Sequence, residues 1–162
     1  MDAESQEGGR VTRAANSRLV QDFGLLIKAA TRLERRIDAV LRRDCGIDHT
    51  AFEVLIRLCR QPGEKTTQRE LAEDLTLTSS GITRLVDRME QMALVRRVPS
   101  PRDRRSVLVE ATDHGRAVFV EAADAHARVV ERFFVAALAG DDYTRLIHSL
   151  GAIEAGLRDD AD

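Results

Sequence analysis

The stretch TTQRELAEDLTLTSSGITRLVDRMEQMALV, residues 66–95, constrains the fold most tightly. Leu71, Ala72 and Leu75 recur at helical spacing, and so, after a short break, do Ile82, Leu85, Val86 and Met89. Thr67 and Glu70 have the spacing of a capping box, in which each side chain serves the other's backbone amide. Thr76 and Leu77 occupy the turn, and Thr78 is placed to cap the second helix. Two short helices joined by a tight turn follow from this pattern. Ser79, Ser80, Thr83, Arg84, Asp87 and Arg88 are left on the outer face of the second.

The next residues specify a ribbon. LVRRVP and SVLVEA are short β-runs, with Val107, Val109 and Ala111 sharing one strand face. Between Arg96 and Arg105 lie five arginines and one aspartate, in a chain whose net charge is only −2. That balance excludes a uniformly basic nucleic-acid coat but leaves room for a local basic patch. A helix pair followed directly by a β-ribbon is a winged helix. Small hydroxylated residues let a helix approach a groove closely, and their hydroxyls can bond phosphates or base edges. The expected DNA contacts are Thr67, Gln68, Thr78, Ser79, Ser80, Thr83, Arg84 and Arg88 on the helix pair, and Arg102, Arg104 and Arg105 on the ribbon tip. A narrow minor groove would attract those tip guanidinium groups. Asp103 cannot favour DNA by its charge and is expected to orient a neighbouring arginine.

The flanks read as helices. Phe23, Ile27, Ala30, Leu33, Ile37, Val40 and Leu41 form an apolar stripe that ends at Gly46. A second helix is expected from about Asp48 to Arg60, stopped by Pro62 and Gly63. Thr112 can cap a further helix running to about Leu138, and Asp141 or Asp142 opens a last one. The fold class is therefore mostly α with a small β-wing. Its parts are a polar, flexible N-terminal arm (1–16), a winged helix-turn-helix (48–111), and a helical dimerisation region (17–47 and 112–158). The terminal stripes are more than one small domain can cover, and two protomers packing them together would cover them.

LAEDLTLTSSGITRLVDRMEQMALVRR followed by DRRSVLVEATDHG resembles the multiple-antibiotic-resistance regulator (MarR) family. The family's wing motif is Asp-x-Arg, three residues, Val, one residue, then Leu-Thr. It is matched by Asp103, Arg105, Val109 and Thr112, with Ala111 in the Leu position. The resemblance spans about Ser17 to Leu157. It implies a homodimeric, ligand-responsive transcription factor, usually a repressor, on a pseudo-palindromic operator. It also implies a small aromatic or anionic effector, with Arg32, His49 and Arg116 as polar contacts. The urate-binding branch carries an N-terminal tryptophan that this chain lacks, so that ligand does not carry over. Where family members commonly have glycine, this chain has Thr76 and Ala93. A positive φ there would be costly, which leaves differently built turns as an alternative.

Other classes have little support. GxGxxG, Walker, HExxH and nucleophile-elbow motifs are all absent, so no enzyme, cofactor or metal site is expected. His49, His114, His126 and His148 are scattered, and Gly46 interrupts the helix between Cys45 and His49. Cys45 and Cys59 suit a cytoplasmic protein without disulfides. A small buried or inert thiol is the favoured reading of Cys45, but Arg42 and Arg43 are close enough in sequence to lower its pKa, which keeps a redox-sensing regulator as an alternative. A winged-helix adaptor that binds protein is another.

Overall fold

A computed structural model describes residues 2–61, 63–100 and 107–159. The chain divides into two compact units, 1–36 and 37–162. The first holds α1 (Asp2–Ala15) and the start of α2 (Arg18–Cys45). The expected N-terminal arm is thus helical from Asp2. Its glutamate, glutamine, alanine and arginine residues favour a helix locally even without an apolar stripe, and its side chains from Glu7 to Ala15 are exposed all round. The α2 stripe behaves in two ways. Ile37 and Leu41 are buried, whereas Phe23 is 64% and Ile27 49% exposed.

The second unit contains the winged helix. Gly46 adopts φ +71° and ends α2. Asp48 then caps α3 (His49–Cys59), its carboxylate accepting from the Ala51 amide at 2.8 Å. α4 (Gln68–Asp74) and α5 (Ser79–Gln91) form the helix pair. The capping box is present in full: the Thr67 hydroxyl accepts from the Glu70 amide, and the Glu70 carboxylate accepts from the Thr67 amide. Thr78 caps α5 by accepting from the Gly81 amide at 3.1 Å.

β2 (Val95–Pro99) and β3 (Val107–Ala111) pair antiparallel, from Val95 opposite Ala111 to Pro99 opposite Val107. The sequence pattern did not reveal β1 (Thr66–Thr67), which adds to the other edge of β3 and makes the order β1-β3-β2. Leu41, Leu55, Leu71, Ile82, Met89, Leu94 and Val109 are fully buried where these elements meet. The two glycine-like turns keep their left-handed backbone without glycine: Thr76 has φ 53° and Ala93 φ 56°. The turns are therefore built in the usual way, with strain at both residues.

α6 (Asp113–Phe133) is capped by the Thr112 hydroxyl, which accepts from the Gly115 amide at 2.9 Å. It ends before the expected Leu138. Phe134 leaves the helix and packs edge-on against Tyr143, 5.8 Å between rings, and a 3-10 turn follows over Val135–Ala137. α7 (Asp142–Asp159) exposes Ile147, Ile153 and Leu157. No described helix is long and apolar enough to cross a membrane.

Candidate nucleic-acid interface

The apolar period of α5 buries Ile82, Leu85, Val86 and Met89, which turns Ser79, Ser80, Thr83, Arg84, Asp87 and Arg88 outward. Thr78 holds the helix start open through its cap and lies 3.3 Å from the Ser80 hydroxyl. The Thr83 hydroxyl donates to the Ser79 carbonyl at 2.8 Å, which leaves its lone pairs toward solvent. Gln68, Ser79 and Thr83 come together along a groove between α4 and α5. Thr67 is spent on its capping box, so its hydroxyl is a structural group first. Arg84 is exposed and has no bonded partner among the described residues.

The arginines separate into two kinds. Arg88, grouped with the expected DNA contacts, reaches back 40 residues to the Asp48 carboxylate. Asp48 also lies 3.6 Å from Arg42, which in turn bonds Asp38 at 2.7 Å. The Arg42 guanidinium and the His49 amide hold the Asp38 carboxyl below its ordinary pKa. Arg97 spans from β2 to α5, bonding Glu90 at 2.6 Å and Asp87 at 2.5 Å. Arg96 bonds Glu110 at 2.5 Å, as Lys65 does at 2.6 Å. Arg96 and Arg97 are therefore both held by the protein's own carboxylates, Arg96 across the two strands of the ribbon and Arg97 from the ribbon to α5. Arg102, Asp103, Arg104 and Arg105 lie outside the described residues.

The residues suggested for an effector fall in different surroundings. Arg32 is exposed on α2 within the first unit. Arg116 donates to the Ala111 carbonyl and to Asp113, both at 2.6 Å. His49 stacks on His126, 6.0 Å between rings, and His126 lies 5.1 Å from Phe52. Sequence reading missed this pair, whose members are 77 positions apart. Burial lowers the His126 pKa, and the neighbouring His49 adds to the effect.

Neither thiol is activated. Burial pushes the Cys45 pKa up, with Asp44 and Glu121 adding to it. This agrees with the inert reading, and the lowering that the redox alternative needs is absent because Arg43 is paired with Asp44, and Arg42 with Asp38. Cys59 is likewise raised by burial.

Comparison with known proteins settles the class. A family model described as MarR family matches residues 46–106, the span from the α2 cap to the ribbon. AbsC, a MarR family transcriptional regulator from Streptomyces coelicolor, superposes with a TM-score of 0.79 at 26% identity, covering 88% of this chain and 96% of that one. Residues 46–106 thus carry a winged helix that matches the MarR family. Sco3205, a MarR family regulator of Streptomyces coelicolor solved in complex with DNA, matches with a TM-score of 0.77 at 29% identity, over 85% of this chain and 86% of that one. The HTH-type transcriptional regulator PecS of Dickeya dadantii is 27% identical over 136 residues, 83% of this chain and 81% of that protein. The chain is thus a winged helix-turn-helix transcriptional regulator, and the relatives it matches are regulators rather than enzymes.

Proposed function

We propose that the protein is a homodimeric repressor of a pseudo-palindromic operator, with α5 in the major groove and the ribbon tip at the adjacent minor groove. The observation that carries this reading is the start of α5. Small hydroxylated side chains face outward there, and beside them Arg84 is exposed with no described partner. Such an arginine is suited to bidentate contact with guanine, worth about 1–3 kcal/mol of discrimination. Dimerisation rests on the exposed apolar stripes of α2 and α7, which a single chain leaves in water. Two recognition helices about 34–36 Å apart would then read half-sites one turn apart. A small effector, with Arg32, His49 and Arg116 as polar contacts, would relieve repression. Its leverage equals its difference in affinity for the two dimer states.

The test is selection of genomic fragments with the purified protein, followed by footprinting across a salt series. A protected palindrome is expected. Arg84→Ala should relax base preference at one position in each half-site. Arg105→Ala should weaken binding and lower the salt slope by about one. A monomer indifferent to every duplex at modest salt refutes the reading.

A further inference from the structure

Arg84 and Arg88 stand four residues apart on the exposed face of α5, so both would face the same duplex. They are held differently. On its own helix Arg88 has no acidic neighbour at helical spacing: three and four positions away stand Arg84, Leu85, Gln91 and Met92. Its partner is Asp48, 40 residues upstream at the cap of α3. The two oxygens of Asp48 divide the work. One accepts from the Ala51 amide, and the other meets Arg88 and, at 3.6 Å, Arg42. Arg42 is already bonded to Asp38 at 2.7 Å, which leaves Arg88 as the closer cation on that second oxygen. The Asp48 side chain is 10% exposed. A carboxylate so placed has little water to fall back on, so drawing Arg88 away from it is costly.

We infer that Asp48 masks Arg88 from DNA: the pair presents no net charge to the duplex, and α5 approaches the phosphates with Arg88 withheld. Asp48 is then a positioning residue that sets DNA affinity without touching nucleic acid. The inference rests on the operator-binding reading. Its physical basis is counterion release. A cation that neutralises a phosphate frees a condensed ion and steepens the salt slope by about 0.9, whereas a guanidinium already matched by a carboxylate frees none. Withholding one cation from each α5 weakens the sequence-independent part of binding. Contacts to base edges, from Arg84 and the hydroxyl groups beside it, then carry a larger share of the whole.

The test titrates the full chain on its selected operator, and on a scrambled duplex of equal length, between about 50 and 200 mM salt. Asp48→Asn keeps the oxygen that caps Ala51 and puts an NH2 group where the second oxygen met Arg88. Asp48→Ser also caps a helix and offers Arg88 no carboxylate. Each should steepen the salt slope by about one per protomer, so that with two protomers bound the affinity for either duplex falls about tenfold more across that range than the wild type's does. Adding Arg88→Gln to either variant should restore the wild-type slope, which a defect in the cap alone would not do. An unchanged slope in the folded Asp48 variants overturns the inference. A double variant with a slope shallower than wild type by about one per protomer overturns it as well, because Arg88 then contacts phosphate in the wild type. Either result, with wild-type binding intact, leaves the operator reading standing. A wild type that binds neither duplex refutes that reading and the mask with it.

Discussion

Gly115 sits where α6 meets the first residue before β2, and it has no room for a side chain. A Cβ built there would lie 1.9 Å from the Leu94 carbonyl oxygen and 2.8 Å from its carbon. Ordinary contact starts near 3.4 Å, so Gly115→Ala must move two backbones about 1.5 Å apart. Neither is free to move. The Leu94 carbonyl accepts from the Thr112 amide at 3.0 Å and the Thr112 hydroxyl at 3.2 Å, and that hydroxyl caps α6. Leu94 itself is buried at 1% exposure. Overpacking of this kind costs about 1–3 kcal/mol, and loosening the cap adds about 1 kcal/mol. Alanine's better helix propensity returns up to about 1 kcal/mol.

The expected net loss is about 1–3 kcal/mol, or a Tm lower by about 2–12 °C for a chain of this size. Urea unfolding and thermal scans would measure it, at one fixed protein concentration because dimerisation would shift both. Gly151→Ala is the internal control. It lies exposed on α7 with nothing within 4 Å of the new Cβ, so it should be neutral or stabilising by up to about 1 kcal/mol. If Gly115→Ala unfolds at the wild-type midpoint, the close approach of α6 to Leu94 is wrong, and so is the placement of α6 against the ribbon.

Four further outcomes are expected. Thr76→Gly and Ala93→Gly should each stabilise by about 0.5–1 kcal/mol in urea unfolding, because a left-handed backbone strains both residues and glycine's extra unfolded freedom offsets only part of that relief; a loss at both sites would contradict the strain. His126 has a folded pKa below its unfolded value, so the unfolded chain binds the extra proton and stability falls as pH drops below about 6.5. His126→Gln should flatten that part of the stability–pH curve; an unaltered slope would assign it to another group, with His49 and Glu53 the charged neighbours to test next. Asp48→Ala removes a helix cap and the Arg88 partner together and should cost about 2 kcal/mol, while Asp48→Asn keeps the cap and costs less; equal losses would mean that the cap contributes nothing, and no loss in Asp48→Asn that the ion pair contributes nothing. Arg97→Ala should weaken operator binding without changing the slope of affinity against salt, because Arg97 is held by Asp87 and Glu90 and is not assigned to phosphate; a slope lower by about one in footprinting titrations would make it a phosphate contact.

Elements whose signals are local were legible in the sequence. Thr67, Thr78 and Thr112 cap the helices they were expected to cap, because a cap needs only residues three apart. The buried face of α5 follows from its own period. What could not be read depended on distant partners. β1 is two residues long and exists only because β3 lies beside it. Glu110 points to the face of β3 opposite Val109, where alternation predicts exposure, yet Lys65 and Arg96 cover it. The Arg42–Cys45 neighbourhood suggested an activated thiol, but the charges nearest in sequence were already claimed by aspartates. In α1 the sequence lacked a stripe to read, and local helix preference decided the outcome.

The arginine-rich ribbon shows why charge counted along a sequence overstates the charge available to a ligand. Arg96 and Arg97 belong to the same run as the three tip arginines, but they begin β2, where the register sets Arg96 opposite Glu110. Arg97 points instead to the acidic side chains Asp87 and Glu90 on α5. Ion pairs at such sites add little stability by themselves. Their geometric effect is larger: two bonds from one planar group fix the angle between the ribbon and the helix beside it. A winged helix contacts a duplex at two places at once, and an error in that angle removes one contact whenever the other forms. The division of labour then follows from position. Arginines at the ribbon's root, within reach of the protein's own carboxylates, set the angle, and Arg84, without a partner among the described residues, is placed to read whatever the helix is pressed against.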